Sequence, residues 1–280
     1  MIKINNLTFG YKENIFENAN ATIDNNKITF IIGKNGSGKS TLANILTGLI
    51  KPKKGKIIID NIEITKKIKL SNLRTKISMV FQNPSNQILF NKVYDDIKFT
   101  LENINTKEEE IDQKIKESLE TVDMLEYINS NPYKLSGGEK QRIAISSILA
   151  LNPKYIVFDE STSMLDINGK NSIYKLLNKL KNKGIGIIFI TNILDELVYA
   201  DEILIIDDKQ IYKYTKKELF NNLNILKEHN LELPFTLKII EKLNQKGIKA
   251  YNEKDILKEI SKWYTLLFFF YSLYLVFYYS

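Results

Sequence analysis

Cysteine is absent from the chain, and histidine occurs only once, as His229. Without cysteine there is no disulfide, no cysteine-ligated zinc and no thiol chemistry, which fits a reducing compartment. Residues 1–6 lack the apolar core of a secretory signal peptide. With 280 residues, 44% of them hydrophobic, the chain has enough apolar material for one large core, or one core and a small appendage.

Acidic residues are outnumbered by basic ones, and the net charge is +7. Such an excess suits a nucleic acid or an anionic membrane surface. It is equally typical of an ordinary solvated surface, because the lysines are spread along the whole chain. We favour the solvated surface and expect no nucleic-acid partner.

A phosphate-binding loop is the strongest motif in the sequence. Residues 33–40 read Gly-Lys-Asn-Gly-Ser-Gly-Lys-Ser, the pattern G-x-x-x-x-G-K-[ST]. The apolar run 27–32 before it predicts a buried strand, and residues 40–47 after it have helical spacing. Glycines let successive N–H groups point at phosphate oxygens, and the helix N-terminus adds positive charge. The predicted ATP-binding residues of this loop are Gly33, Lys34, Asn35, Gly36, Ser37, Gly38, Lys39, Ser40 and Thr41.

Two acidic residues end a second predicted strand. Asp159 and Glu160 follow the apolar run 155–158, and ligands of α/β proteins bind at the carboxyl ends of strands. We expect Asp159 to hold Mg²⁺ together with Ser40, and Glu160 to polarise the water that attacks the γ-phosphate. Taken alone, the two acids are equally well read as surface residues; the phosphate loop favours the catalytic interpretation.

The order of predicted elements indicates an α/β fold. The βαβ alternation over residues 155–206 predicts a mainly parallel sheet with helices on both faces. Helical spacing over 93–151 predicts a helical insertion. The remaining predicted elements are strands at 2–9, 19–23 and 77–81, with 19–23 and 27–32 continuing one sheet, a hairpin at 55–64 with an Asp-Asn turn, helices at 168–181 and 193–200, and helices after 216.

Residues 135–139, Leu-Ser-Gly-Gly-Glu, complete a family pattern. Together with the phosphate loop and the acidic pair, they resemble the signature of ATP-binding cassette ATPases over about residues 1–213. The resemblance implies the P-loop ATPase fold of that family, with an antiparallel β subdomain and a helical subdomain. It also implies that the signature acts in trans, on ATP held by the opposite subunit of a dimer. The implied signature residues are Ser136, Gly137, Gly138 and Glu139, the last in the place of a more usual glutamine.

The resemblance assigns further positions. Tyr11 matches the aromatic residue that stacks on adenine, Gln82 the glutamine that touches Mg²⁺, and Asp166 the aspartate of a loop at the dimer interface. One position departs from the family: Asn192 stands where a switch histidine is usual. An amide can donate a hydrogen bond to a γ-phosphate, but it cannot carry a proton. We therefore expect ATP binding, with hydrolysis at this chain's own site in question, and a surface position for His229.

Several segments resemble the ATPase subunits of energy-coupling factor transporters, and the first of the two subunits more than the second. They are residues 81–87, 93–99, 161–166 and 233–238. The resemblance implies a second ATPase subunit, a transmembrane coupling protein that docks on residues 82–99, and a membrane protein that captures a vitamin or metal ion. The chain is then a peripheral protein at the cytoplasmic face of the cell membrane. A catalytically weak regulatory subunit and a soluble non-transport cassette protein remain alternatives.

The sequence predicts three regions: a nucleotide-binding domain at 1–214 with its helical subdomain at about 83–151, a helical appendage at 215–262, and a tail at 263–280. The tail is uncharged, very aromatic and 18 residues long, at the lower edge of a membrane span. As the origin of the tail, we favour a reading-frame change or a truncation artefact near the 3′ end of the coding sequence. A membrane anchor and a buried helix stay open.

Overall fold

The computed structural model describes residues 1–64, 68–163, 165–248, 250, 255–259 and 261–262. Their strands, in chain order, are β1 (Ile2–Gly10), β2 (Asn14–Ile23), β3 (Ile28–Gly33), β4 (Lys54–Ile59), β5 (Ile62–Glu63), β6 (Ile77–Val80), β7 (Tyr155–Asp159), β8 (Gly186–Ile190), β9 (Glu202–Asp207) and β10 (Gln210–Thr215). Their α-helices are α1 (Lys39–Leu46), α2 (Leu70–Arg74), α3 (Val93–Glu102), α4 (Glu108–Thr121), α5 (Gly137–Leu149), α6 (Ile167–Asn182), α7 (Lys216–Asn221), α8 (Asn224–Glu228) and α9 (Phe235–Gln245). The tail, 263–280, and Met164 of the predicted interface loop lie outside the described residues.

The chain divides into two compact units. Among the described residues, the first comprises those of Met1–Asn192 and Ala200–Tyr214, and the second comprises Ile193–Tyr199 and those from Thr215 onward. The domain and subdomain boundaries that we expect near residues 83, 151 and 214 stay predictions.

A six-stranded sheet forms the centre of the first unit, in the order β10-β9-β3-β8-β7-β6. Strand β3 pairs in parallel with β8 and β9, and β7 pairs in parallel with β8 and β6. The predicted mainly parallel sheet is therefore confirmed. Because β3, β6, β7 and β8 run in the same direction, their carboxyl ends meet at one edge, where the site residues follow them.

Three phenylalanine rings hold the middle strands of this sheet in register. Phe30 of β3 lies beside Phe189 of β8, with ring centroids 4.9 Å apart, and Phe158 of β7 lies 5.9 Å from Phe189 on the other side. All three side chains are fully buried. Burying a large apolar side chain stabilises a fold by roughly 2–3 kcal/mol, so this row fixes the relative positions of the three strand ends.

A four-stranded antiparallel sheet, in the order β2-β1-β4-β5, lies in the same unit. The expectation that residues 19–23 and 27–32 continue one sheet is wrong, because β2 and β3 belong to different sheets. Their burial patterns explain the separation: β2 alternates between buried and exposed residues, as a half-covered antiparallel strand does, whereas β3 is buried throughout. The predicted hairpin is confirmed, with left-handed backbone at Asp60 and Asn61 (φ 47° and 68°).

Helices α3, α4 and α5 occupy the stretch for which helical spacing predicts an insertion. In α4 the residues at that spacing, Ile111, Ile115 and Leu119, are buried. Helices α3, α4 and α5 pack against one another in pairs. The helical character of 93–151 is thus confirmed.

Three details differ from the expectations. Residues 193–200 are not an α-helix; Leu194–Tyr199 form a 3₁₀ helix, whose larger rise per residue lets few residues span a short link between two strands. His229 is buried rather than on the surface, because the chain turns at Asn230 (φ 55°) directly after α8. Strand β10 is additional to the predicted strands, and it follows left-handed residues Asp208 and Lys209.

Candidate functional site at the carboxyl edge of the sheet

The predicted phosphate loop connects β3 to α1, as its motif requires. Gly38 has a left-handed backbone (φ 105°), and a Cβ there would lie 2.3 Å from Cγ2 of Ile15. A Cβ on Gly33 would lie 2.5 Å from the carbonyl oxygen of Ile206 in β9. Both glycines are therefore required by the packing of this chain itself. Inside the loop, the buried Ser37 hydroxyl has no hydrogen-bond partner among the described residues, which fits a loop that receives a polar ligand.

Lys39 reaches back over the loop that precedes it. Its side chain is only 6% exposed, and its Nζ donates hydrogen bonds to the carbonyl oxygens of Gly33 (2.8 Å) and Lys34 (3.0 Å). Burial lowers the pKa of Lys39, while the negative charges of Glu160 and Asp159 oppose that shift. The ammonium group thus lies within the loop, and two carboxylates favour its charged form.

Asp159, the last residue of β7, contacts the first turn of α1. The Ser40 hydroxyl donates to Oδ1 of Asp159 at 3.2 Å. Burial raises the pKa of Asp159; the Ser40 hydrogen bond opposes this, Glu160 adds to it, and Lys39 opposes it. Among the described residues no three His, Cys, Asp or Glu side chains cluster as a metal cage. Mg²⁺ keeps several waters and takes one or two carboxylates plus substrate phosphates, and the pair of Ser40 and Asp159 fits that need.

Glu160 has both carboxylate oxygens bound by side-chain amides. Nε2 of Gln82 donates to Oε2 at 3.0 Å, and Nδ2 of Asn192 donates to Oε1. Gln82 follows β6 and Asn192 follows β8, so residues at the ends of three neighbouring strands converge here. Glu160 itself has a left-handed backbone (φ 46°), which is uncommon for a non-glycine residue and typical of functional sites.

The signature residues begin helix α5. Ser136 caps the helix: its hydroxyl accepts from the Glu139 N–H at 3.4 Å, and Oε2 of Glu139 accepts from the Ser136 N–H at 2.8 Å. The Ser136 hydroxyl also donates to Oε2 of Glu139 at 2.7 Å, and Tyr127 donates to Oε1 at 3.2 Å. Among the described residues these bonds stay within the signature region and do not reach the phosphate loop. Hydrogen bonds from Ser136 lower the pKa of Glu139.

The two other predicted site residues lie elsewhere on the surface of the first unit. Tyr11 is 66% exposed and makes an edge-on contact with Phe9 at 5.3 Å, which leaves ring area available for stacking. Asp166 caps α6, since its Oδ1 accepts from the Gly169 N–H at 2.7 Å. The structure therefore brings Gln82, Glu160 and Asn192 together beside Lys39, Ser40 and Asp159, and leaves Tyr11, Ser136 and Asp166 outside this cluster.

One segment beside the phosphate loop is not among the site residues predicted from the sequence. The turn Asp207–Lys209 lines an open pocket of about 400 Å³ together with loop residues Lys34–Ser37. Two adjacent residues with left-handed backbone, Asp208 and Lys209, form this turn. The acidic pair at 207–208 before a polar residue is a turn signal that was available in the sequence.

Comparison with known proteins identifies the family. The family model described as "ABC transporter" matches residues 16–163, more than half of the chain. The chain belongs to the ABC transporter family. This confirms the resemblance that the loop, the acidic pair and the signature imply, and it accounts for the order of the elements that carry them.

Relatives within the ABC transporter family narrow the assignment. The energy-coupling factor transporter ATP-binding protein EcfA1 of Leuconostoc mesenteroides is 41% identical over 265 residues, which cover 93% of this chain and 97% of the relative. The protein of the same name from Mycoplasmopsis synoviae is 40% identical over 269 residues and is covered completely. The chain therefore belongs with the energy-coupling factor ATP-binding proteins, as residues 81–87, 93–99, 161–166 and 233–238 predict.

Solved structures of ABC transporter proteins share the fold. CbiO1 from Clostridium perfringens, part of the ABC transporter complex cbiONQ, superposes with a TM-score of 0.74 at 31% identity, covering 86% of this chain and 98% of that one. The cassette MJ0796, solved as a dimer bound to ADP and Pi, gives 0.67 at 30% identity over 77% of this chain and 98% of that one. No helix within the described residues has the length and apolar character needed to cross a bilayer.

Proposed function

We propose that this chain is the ATP-hydrolysing subunit of an energy-coupling factor importer, and that it powers uptake of a vitamin or metal ion. Two kinds of support agree. Relatives known as energy-coupling factor transporter ATP-binding proteins match 93–94% of the chain. The observation that carries the enzymatic part is the convergence of Gln82, Glu160 and Asn192 beside Lys39, since it supplies a base, its hydrogen-bond donors and a cation at one edge of the sheet.

The chain's own site binds the nucleotide through the phosphate loop. The N–H groups of the loop and of the first turn of α1 face the phosphates, Lys39 reaches the terminal phosphates, and Tyr11 stacks on adenine. Ser40, Asp159 and Gln82 would hold Mg²⁺, which neutralises phosphate charge when bound. The remaining residues of the loop, Gly33, Lys34, Asn35, Gly36, Ser37, Gly38 and Thr41, shape the cradle.

Hydrolysis depends on Glu160 as the base that orients and polarises the attacking water. Its carboxylate is aimed by the amides of Gln82 and Asn192. Asn192 replaces a proton-carrying histidine with a neutral donor, and it still supplies one N–H to the base. This position is the observation that favours the second candidate function, a subunit that binds ATP and hydrolyses it slowly.

The second subunit completes the site. Ser136, Gly137, Gly138 and Glu139 present a helix N-terminus that suits the γ-phosphate of ATP on a partner ATPase subunit. In this proposal Asp166 lies on the same surface, which contacts the partner ATPase subunit when the pair closes. ATP then favours the closed pair, and loss of the γ-phosphate contacts lets it open. A heterodimer fits the resemblance to the first of two ATPase subunits.

A membrane coupling protein docks on residues 82–99 and receives this movement. Exposed apolar side chains lie in and beside that segment, namely Phe81, Leu89, Phe90 and Phe99, and a helix of a membrane partner suits such a patch. The coupling protein engages a separate membrane protein that captures the substrate. The chain is accordingly a peripheral protein on the cytoplasmic face of the membrane.

The test is ATP turnover by the complex of both ATPase subunits with the coupling protein. Replacing a general base typically lowers turnover by about 10²- to 10⁴-fold, so Glu160→Gln reduces phosphate release by that order and leaves nucleotide affinity within about twofold. The exposed Glu228→Gln is the matched control. If Glu160→Gln retained normal turnover, Glu160 would not be the base. Asn192→His separates the two candidate functions, because a slow subunit gains turnover from the histidine.

A further inference from the structure

Asp96 is a buried carboxylate that the catalytic site does not use. It lies in the first turn of α3 and is 5% exposed. Its Oδ1 accepts backbone N–H groups from Leu89 at 2.8 Å and from Phe90 at 3.3 Å. It therefore fixes the backbone of a turn whose own apolar side chains are exposed, with Leu89 at 63%.

The second oxygen of the same carboxylate bonds to a different element. Oδ2 of Asp96 accepts from the Ser147 hydroxyl at 3.3 Å, and Ser147 lies in α5, the helix that Ser136 caps. The Ser147 hydroxyl also contacts the carbonyl oxygen of Ile143 at 3.2 Å within its own helix. One planar group thus connects the 89–90 turn on one side with the signature helix on the other.

The cost of burying this acid indicates that its position matters. Burial raises the pKa of Asp96, and the N–H groups of Leu89 and Phe90 and the Ser147 hydroxyl oppose that shift. A buried carboxylate without such partners is strongly unfavourable. An apolar residue would fill the space more cheaply, but it would leave two backbone N–H groups without this acceptor and would not bond to α5.

We propose that Asp96 is a positioning residue that transmits displacement of the 89–90 turn to the signature helix through Ser147. The inference rests on the proposed docking of the coupling protein on residues 82–99 and goes beyond it, because it names the connection. When the partner displaces the turn, the carboxylate moves with the backbone that it binds. It then shifts α5 and, with it, the glycines that face the nucleotide of the other subunit.

The test compares ATP turnover of the full complex with that of the two ATPase subunits alone. Substitutions of residues that carry coupling typically alter the coupling between two sites by about two- to thirtyfold. Ser147→Ala should therefore reduce the change in turnover that the coupling protein causes by about threefold, with the basal rate and assembly of the complex unchanged. Asp96→Ala should reduce it further, and Asp96→Asn should restore most of it, because an amide oxygen still accepts from the turn and its nitrogen can bond to Ser147.

Ser146→Ala is the matched control. Ser146 is also buried in α5, but among the described residues its hydroxyl donates within the helix alone, to the carbonyl oxygen of Ile143 at 2.7 Å. The quantity compared is the ratio of ATP turnover by the full complex to turnover by the two ATPase subunits alone. If this ratio were the same for Ser147→Ala, Ser146→Ala and the unaltered protein, the inference would be overturned, even with normal Glu160-dependent turnover. Failure of the complex to assemble, or turnover independent of Glu160, would instead overturn the proposed function on which the inference rests.

Discussion

The phosphate loop and the signature turn are two glycine-rich surfaces of one chain, and their glycines serve different ends. A Cβ on Gly33 or Gly38 would collide with β9 or with Ile15 of the same chain. A Cβ on Gly137 or Gly138 would lie more than 4 Å from every atom of the described residues outside its own turn of helix, and neither residue has a left-handed backbone. The first pair is required by this chain's own fold. The second pair leaves space that nothing in the described structure fills, which suits a surface that closes on another molecule.

The largest effect is expected at Gly38. Replacement by alanine forces a Cβ into Ile15 and into a left-handed backbone, and such strain costs about 1–3 kcal/mol. We expect Gly38→Ala to abolish measurable nucleotide binding and to lower the free energy of unfolding in urea by that amount. Binding of a fluorescent ATP analogue checks the first part. Unchanged stability with normal binding would show that the loop relaxes around the new methyl group.

Gly137→Ala is the counterpart on the other surface. The free energy of unfolding should not fall and should rise by up to about 1 kcal/mol, since alanine is favoured over glycine in a helix when no clash opposes it. Nucleotide binding by the separate chain should also be unchanged. ATP turnover at the partner's site should fall by about 100-fold, because the added methyl group occupies the space into which the γ-phosphate must come and keeps it from the helix N–H groups; losing one such donor contact costs about that much. A loss of stability comparable with that of Gly38→Ala would show that Gly137, like Gly38, is required by this chain's own fold.

Tyr11 tests the exposed end of the nucleotide site. Stacking of a base on an aromatic side chain is worth about 1–3 kcal/mol, so Tyr11→Ala should weaken ATP affinity by about tenfold. Tyr11→Phe should bind normally, because the ring is retained. Equal losses for both variants in equilibrium binding would show that the hydroxyl, rather than the ring face, makes the contact.

The smallest effect concerns Glu139. An acid in the first turn of a helix stabilises it by about 0.3–1 kcal/mol, so Glu139→Gln should lower stability by no more than that. Because hydrogen bonds from Ser136 lower the pKa of Glu139, its contribution is present above the ordinary carboxyl pKa and is lost as the pH falls through the lowered value. Urea titrations at pH 7 and pH 3 should therefore differ less for Glu139→Gln than for the unaltered chain.

Local motifs in the sequence predicted much of the fold and the elements of the site. The loop 33–40, the acids at 159–160 and the turn 135–139 are each contiguous, so their residue types carry the information. Pairings between distant strands are not encoded in this way. Local residue patterns do not predict that β2 and β3 separate into two sheets, because the separation depends on which partner each strand meets.

The contacts of Glu160 and Asp96, like the strand pairings, are not predictable from local sequence motifs. Gln82 and Asn192 reach Glu160 only because β6, β7 and β8 are neighbours, and the order of strands is set by the folded sheet. Asp96 and Ser147 are 51 residues apart in the chain. The burial of His229 differs from the prediction for a related reason: a single polar residue has no periodic pattern from which its burial can be predicted.

ATP-dependent association with the second ATPase subunit tests the central claim most directly. In the slow-hydrolysing variant Glu160→Gln, light scattering during gel filtration should detect a pair of subunits with ATP and Mg²⁺ but not with ADP. Adding Gly137→Ala to that variant should abolish the pair while leaving nucleotide binding intact. If the double variant associated as strongly as Glu160→Gln alone, the signature turn would not face the partner's nucleotide, and the account would be contradicted.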